Sequence, residues 1–352
     1  MKVMCLGHLT YDTTLQTDSY PEENEKYHLD GKIECGGGPA PNAGYLLRKW
    51  NEEVFVAGII GNDYQGMNIK DEFEEVRVNT EYIDVGIDIH TDTSYIIANT
   101  KNGSRTILTA KEETHPEYSL EIDESFDLIM LDGSEADVAI KLLEDNKEAI
   151  SILDAGNLRE GTKKLAPLVN YLVCSHDYAE DFTNLKIDYK NKKSIEKVYK
   201  KMKETYTNTL IITLEEAGCY TQIDGKGEII PSIKVKPIDS TGAGDIFHGA
   251  FAYFITHDYS LKDALRYANI TGALSTLKVG SRFSMPDLAD VLSYDKEEKT
   301  ETKEQKKEKK KDSKKVDKKK TKKEEPSEEE PKEVDKKEEV IEESPEEEIE
   351  IL

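Results

Sequence analysis

The chain has 352 residues and carries 48 Lys plus Arg against 72 Asp plus Glu, a formal net charge of −24. From 295 to 352 there are 18 Lys and 23 acids, a net of −5, so the first 294 residues hold −19. So acidic a body argues against nucleic acid and anionic membranes as partners, because both demand positive surface, while its length allows one large α/β core.

The first predicted strand is 3–6, within MKVMCLGHLTYD. Only four apolar residues lie between Lys2 and Gly7, too few for a signal-peptide core, and no run approaches a membrane span. Cys5, Cys35, Cys174 and Cys219 have neither CxxC pairing nor zinc spacing, so reduced thiols and a cytoplasmic location are expected. Cys5 and Cys174 fall in apolar runs and are expected in the core.

Further strand-like runs at 54–60, 126–131, 150–154, 171–174 and 210–214 alternate with amphipathic stretches. That rhythm predicts an α/β fold, a mainly parallel sheet with helices on both faces. Segments of about 13–35 and 91–110 break it and read as β-rich insertions, the second a hairpin about Asn102-Gly103. Asp12, closing the first strand region, suits an Asx turn. In Gly36-Gly-Gly-Pro-Ala-Pro-Asn42 the glycines suit a turn, and Asn and Pro are ordinary helix-entry residues.

The most informative segment is Asp239-Ser-Thr-Gly-Ala-Gly-Asp245, followed by IFHGAFAYFITH. Ile246, Phe247, Ala250, Phe251 and Phe254 recur at helical spacing, which places a helix start near Gly242. There the N–H groups of Gly242, Ala243 and Gly244 have no carbonyl one turn back, and the macrodipole favours an anion. Asp245, in the same turn, is the candidate general base for a hydroxyl attacking that anion. Its bland alternative is a first-turn acid that only complements the dipole. The chain has no GxxxxGK[ST], so a phosphate cradle must be this helix start.

Together with Gly36 to Asn42 and Gly58-Ile-Ile-Gly61-Asn-Asp63-Tyr-Gln-Gly66, this segment resembles the ribokinase-like (PfkB-type) carbohydrate kinase family. Members carry a GG-x-x-x-N helix start, a GxxGxDxxG turn and a DTxGAGDxFxGA helix in this order. The resemblance runs from Met1 to about Leu292, through Ile211-Ile-Thr-Leu214, Ala268-Asn269 and Gly280-Ser-Arg-Phe-Ser284-Met-Pro286. It implies a ribokinase-like domain over 1–294 in which the two insertions form a small β-sheet lid over the sugar, and often a homodimer contact. It further implies a sugar kinase using ATP and Mg²⁺. By the same resemblance Asp12 binds sugar hydroxyls, and Gly37, Gly38 and Asn42 face the sugar. Thr241 to Gly244 form the anion hole, Asp245 is the base, and Asn269 lies near the adenine. Asp239, Thr241, Gly280 and Ser284 fall where relatives bind a monovalent cation such as K⁺, although Asp239 also suits a turn.

Departures accompany the matches. The family's Asn-x-x-Glu segment, which organises Mg²⁺ and phosphate, is here Ser175-His-Asp-Tyr178, and Glu180 does not inherit the missing role. Glu215 stands where Gly is usual, and Pro39 occupies the position of the ribokinase Lys. Gly-Gly-Pro-x-x-Asn is widespread in hexose-type members, so a fructose-like acceptor is expected ahead of ribose. A nucleoside kinase of the same fold and a non-catalytic sugar- or nucleotide-binding protein remain open alternatives. After Tyr294 the composition cannot build a packed domain: 302–323 has 13 Lys and 4 acids, and 324–352 has 15 acids and 3 Lys. A disordered, solvated tail is expected over 295–352.

Overall fold

A computed structural model of the chain describes residues 1–111, 121–122 and 124–294. The expected tail, 295–352, lies outside the described residues. The elements run β1 (Lys2–Leu6), β2 (Thr10–Thr17), β3 (Lys32–Gly37), α1 (Pro39–Lys49), β4 (Glu53–Gly61), α2 (Tyr64–Glu75), β5 (Asn79–Gly86), β6 (Asp92–Asn99) and β7 (Ser104–Ala110). There follow β8 (Leu128–Leu131), α3 (Ala136–Asp145), β9 (Ile150–Ala155), α4 (Glu160–Leu165), β10 (Tyr171–Cys174), α5 (His176–Thr183), α6 (Lys192–Lys203), β11 (Thr209–Thr213), β12 (Cys219–Ile223), β13 (Lys226–Ile230), α7 (Ala243–Thr256) and α8 (Leu261–Ser275).

The main sheet has nine strands in the order β13-β12-β11-β10-β9-β8-β1-β4-β5. Every neighbouring pair from β11 to β5 is parallel, and β12 and β13 add an antiparallel edge. A strand buried on both faces must be apolar throughout, as β8, Leu-Ile-Met-Leu, is. Its alternation serves two layers: Val3, Cys5, Leu128 and Met130 pack in one cluster with residues of α1, α2, α7 and α8. Met4, Leu6, Ile129 and Leu131 pack in the other with residues of α3 to α6. The expected helix-covered sheet is thus present. The antiparallel edge and β5 are additions to it. All four cysteines are free and buried, and among the described residues no helix is long and apolar enough to cross a membrane.

The second sheet has the order β3-β2-β6-β7. Its strands come from the two predicted insertions, but 18–31 carries no strand. The β6–β7 turn closes with Gly103 N–H donating to the Asn99 carbonyl at 2.8 Å, and Gly103 has φ 76°, a conformation glycine adopts without penalty. Asp12 lies inside β2, paired with Cys35 and Ser94, so it closes no Asx turn.

Two motifs are explained by how they anchor this sheet. Asp63 caps α2 by accepting from Gly66 N–H at 2.8 Å, and it also accepts from the Thr91 amide and hydroxyl at 2.8 and 2.7 Å. The acid of the Gly61–Gly66 turn therefore fixes the entry to β6. Gly38 is the N-cap of α1 with φ 104°, Pro39 is its first residue, and Asn42 lies within the helix. A Cβ on Gly38 would overlap the His8 carbonyl, and one on Gly37 would overlap the Asp12 carboxylate.

Candidate active site

Helices α1 and α7 meet where Gly249 faces Ala43. A Cβ at 249 would come 2.9 Å from the Ala43 carbonyl oxygen, so the missing side chain sets how closely the helices approach. One turn toward the start of α7, Asn42 Nδ2 donates to Asp245 Oδ2 at 2.8 Å. Asn42 is 1% exposed, and its Oδ1 accepts from Arg282 Nε at 3.3 Å. The amide expected to face sugar thus orients Asp245, with one Nδ2 hydrogen left over.

Gly242, with φ 73°, is the N-cap of α7, as the sequence placed it. Ala243 N–H bonds the Ser240 carbonyl at 3.3 Å, a long contact. The first-turn amides beyond it have no carbonyl one turn back, and Gly244 is exposed. An anion-receptive helix start therefore opens beside a carboxylate.

The β6–β7 hairpin docks on the same loop. Ser240 N–H donates to the Gly103 carbonyl at 3.1 Å, and Gly103 bridges to Asp239. From β7, Arg105 Nη1 donates to Ser240 Oγ at 2.8 Å. Asp12, from the same sheet, is buried close enough to feel the charge of Asp245. Burial, then repulsion by Asp245, pushes the Asp12 carboxyl up to about 7 against the opposing pull of Arg282 and Ser94. Burial likewise raises Asp245, opposed by the Asn42 hydrogen bond and by the charges of His248 and Arg105.

Beneath the helix start, His248 Nδ1 lies 2.7 Å from the Gly244 carbonyl and 3.1 Å from Asp154 Oδ2. Its Nε2 lies 3.3 Å from the Val173 carbonyl. The ring pins the first turn of α7 to β9 and β10. Burial raises Asp154 to about 6 in spite of His248. Asp132, fully buried after β8, accepts from the amides of His8 and Ser134 at 2.9 and 3.0 Å. The sequence reading missed Asp132, Asp154, Arg105 and Arg282. An acid at the carboxyl end of a predicted parallel strand was a usable signal for the first two, whereas no local signal marks the arginines.

Other expected residues are tied by hydrogen bonds within the fold. Asn269 Nδ2 donates to the Ile230 carbonyl at 2.9 Å and is 5% exposed, so its amide ties α8 to β13. Asp239 Oδ1 accepts from Thr241 N–H and Oγ1 at 2.9 and 2.6 Å, and Oδ2 accepts from Gly280 N–H at 2.9 Å. Ser284 Oγ donates to the Ser281 carbonyl at 2.9 Å. These residues are brought together as one knot of two loops. Asp239 Oδ1 is thus occupied by two donors, whereas Oδ2, with one, keeps an acceptor site that a cation could share with backbone carbonyls.

Ser175 caps α5, accepting from Tyr178 N–H at 3.0 Å, and Tyr178 is buried with its hydroxyl 2.9 Å from that of Tyr206. Glu180 is held by Lys186 and by the Ile187 amide. Glu180 is thus engaged within the fold, whereas the Asp177 carboxylate is exposed, 3.1 Å from the His176 ring. Among the described residues no group of three or more His, Cys, Asp or Glu side chains is placed to hold a metal.

A cavity of about 630 Å³ opens elsewhere, at the amino ends of β9, β10 and β11, among Tyr171, Lys203 and Asn208. Lys203 Nζ is spent there on the Thr207 and Asn208 carbonyls. It has no part in the carboxylate cluster.

Residues 1–288 match a family model described as pfkB family carbohydrate kinase. The chain is 30% identical over 308 residues to a ribokinase of Lactococcus lactis subsp. lactis, covering 84% of this chain and 97% of that one. It is 25% identical over 301 residues to a ribokinase of Bacillus subtilis, covering 83% and 98%. Among solved structures, a ribokinase of Arabidopsis thaliana complexed with ribose and ATP is similar with TM-score 0.66 at 20% identity, over 83% of this chain and 97% of that one. A ribokinase of Cryptococcus neoformans in complex with ADP gives 0.68 at 18%, over 83% and 99%. These two bear on the fold alone. The expected preference for a fructose-like acceptor finds no support among these relatives.

Proposed function

We propose, from the premise that the chain belongs to the pfkB family of carbohydrate kinases, that it transfers the γ-phosphoryl group of ATP to a hydroxyl of ribose. The phosphotransferase class with a sugar hydroxyl as acceptor follows from the family; ribose as the acceptor is our reading of the ribokinases it resembles.

The observation that carries the reading is the convergence of Asp12 from the lid and Asp245 from the start of α7 on one cluster, with Asn42 bonded to Asp245. In this reading Asp12 accepts hydrogen bonds from sugar hydroxyls beneath β2, and the backbone at Gly37 and Gly38 lets the sugar come close. Asp245 takes the proton of the attacking hydroxyl, a role helped by the burial that raises its carboxyl above the ordinary value and makes it a stronger base once ionised. The amides of Gly242 and Gly244, with that of Ala243 once it leaves its long bond to Ser240, receive charge developing on the phosphoryl oxygens. ATP brings Mg²⁺, whose positive charge offsets that of the phosphates. Exposed Tyr95, Ile107 and Leu108 on the lid strands support a homodimer contact there, and four free buried thiols suit a reducing, cytoplasmic location.

The test is an ATP-coupled assay of the full chain with ribose, deoxyribose, fructose and adenosine. Ribose should give the highest kcat/KM. Faster turnover of fructose or adenosine would reassign the acceptor, and no turnover of any of them would remove the kinase reading in favour of a binding protein.

A further inference from the structure

We infer that Arg282 is a positioning residue for phosphoryl transfer: it fixes which face of the Asn42 amide is turned to Asp245. Arg282 lies on the Gly280–Ser284 loop and is 5% exposed. Its guanidinium carbon stands 4.2 Å from the ring centre of Phe73 and 5.0 Å from that of Tyr45. Nη1 donates to Glu72 Oε2 at 2.6 Å, and that oxygen also accepts from Gly36 N–H at 2.9 Å. Nε donates to Asn42 Oδ1 at 3.3 Å, and Asn42 Nδ2 donates to Asp245. Glu72, Arg282, Asn42 and Asp245 thus form one relay from α2 through the C-terminal loop and α1 to α7.

A side-chain amide can be turned over, exchanging its oxygen and nitrogen. Beside a carboxylate alone, Asn42 would keep the right face only through that one bond. A guanidinium, which has donors and no acceptor, makes the reversed orientation wrong at both ends. Arg282 therefore fixes the amide without touching substrate.

The arrangement is a poor device for stability alone. Arg282 Nη2 is buried and meets no protein acceptor, and buried ion pairs are often no better for stability than apolar residues of similar volume. What the guanidinium supplies, and an apolar side chain would not, is direction to Asn42.

The inference rests on the kinase reading through Asp245, so the experiment separates the two. Wild-type chain and Arg282→Gln are assayed with ribose and ATP, alone and in an Asn42→Ala background. Arg282→Gln should lower kcat about tenfold to a hundredfold, the scale of a misplacement of about 1 Å, and should change the KM for ATP less than about twofold. In the Asn42→Ala background the same change should cost almost nothing further, because residues acting as one unit are not additive. Arg282→Lys, which keeps a cation beside Glu72 and loses the fork, should behave like Arg282→Gln and serves if that variant does not fold. Equal losses in both backgrounds, or kcat within about twofold of wild type, would overturn the inference.

A second readout does not require activity. The Asn42 side-chain NH₂ resonances, identified by their loss in Asn42→Ala, should exchange with solvent at least about tenfold faster when Arg282 is replaced, since local opening governs such exchange. Unchanged exchange overturns the positioning role even if the wild-type chain phosphorylates nothing, in which case it is the kinase reading that fails.

Discussion

Asn42 Nδ2 and Asp245 Oδ2 are 2.8 Å apart across 203 positions of sequence, and this bond holds the proposed base at the mouth of the anion-receptive turn. Asp245→Asn keeps the shape and removes the proton acceptor. We expect kcat with ribose to fall at least about a hundredfold while nucleotide affinity changes little. Single-turnover kinetics and nucleotide titration separate the two, and near-normal kcat would remove Asp245 from the role of base.

The bond depends on a helix crossing with no room for a side chain at 249. Gly249→Val drives branched methyls against the Ala43 carbonyl and Leu46, and overpacking of this kind typically costs about 1–3 kcal/mol. Urea unfolding should show that loss, and kcat should fall by more than the folded fraction does, because Asn42 is moved away from Asp245. If stability falls and kcat per folded molecule stays constant, the crossing supports the fold without setting the site.

The parts of this site legible in sequence are those made of local chemistry. Positive φ at Gly38 and Gly242, an acid in the first turn of α7 and the alternating apolar runs each leave a mark within a few residues. The illegible parts are side-chain meetings across distant segments. Asn42 read as a helix entry or a sugar ligand because nothing near it in sequence announces Arg282 or Asp245. Asp239 read as a cation ligand or a turn acid, and its oxygens are taken by amides on two loops. Asn269 reads as part of the wall near the adenine, and nothing near it in sequence announces the bond of its amide to the Ile230 carbonyl of the antiparallel edge.

Arg105 links the lid to chemistry through Ser240 and through its charge, which works against the burial that raises Asp245. Arg105→Met removes a positive charge, so the Asp245 carboxyl should rise further and its ionised fraction should drop first at low pH. The acid limb of the kcat/KM profile should move to higher pH, with activity at pH 6 losing more than activity at pH 8. Arg105 is exposed, so the movement should be small and should shrink in high salt. An acid limb that stays in place at low salt would show that Arg105 only latches the hairpin.

Asp12 is the residue at which stability and function should oppose each other. Its carboxyl is raised from an ordinary 3.8 to about 7, by burial first and by Asp245 second. The folded chain therefore holds a proton that the unfolded chain has released between those values. This contribution to stability is fully present below about pH 3.8 and is lost as the pH rises through about 7. Asp12→Asn has no such proton to lose, so at pH 8 it should be more stable than the wild type by on the order of a few kcal/mol, and the gain should shrink toward pH 5. The same change removes an acceptor for sugar hydroxyls, and a buried hydroxyl without a partner costs about 1–3 kcal/mol. The KM for ribose should rise about tenfold or more, at roughly 1.4 kcal/mol per decade, while the KM for ATP moves little. Urea titrations at pH 5 and pH 8 beside steady-state kinetics read both effects. Lower stability at pH 8, or equal rises in both KM values, would place Asp12 in the support of β2 and leave the sugar to another part of the lid.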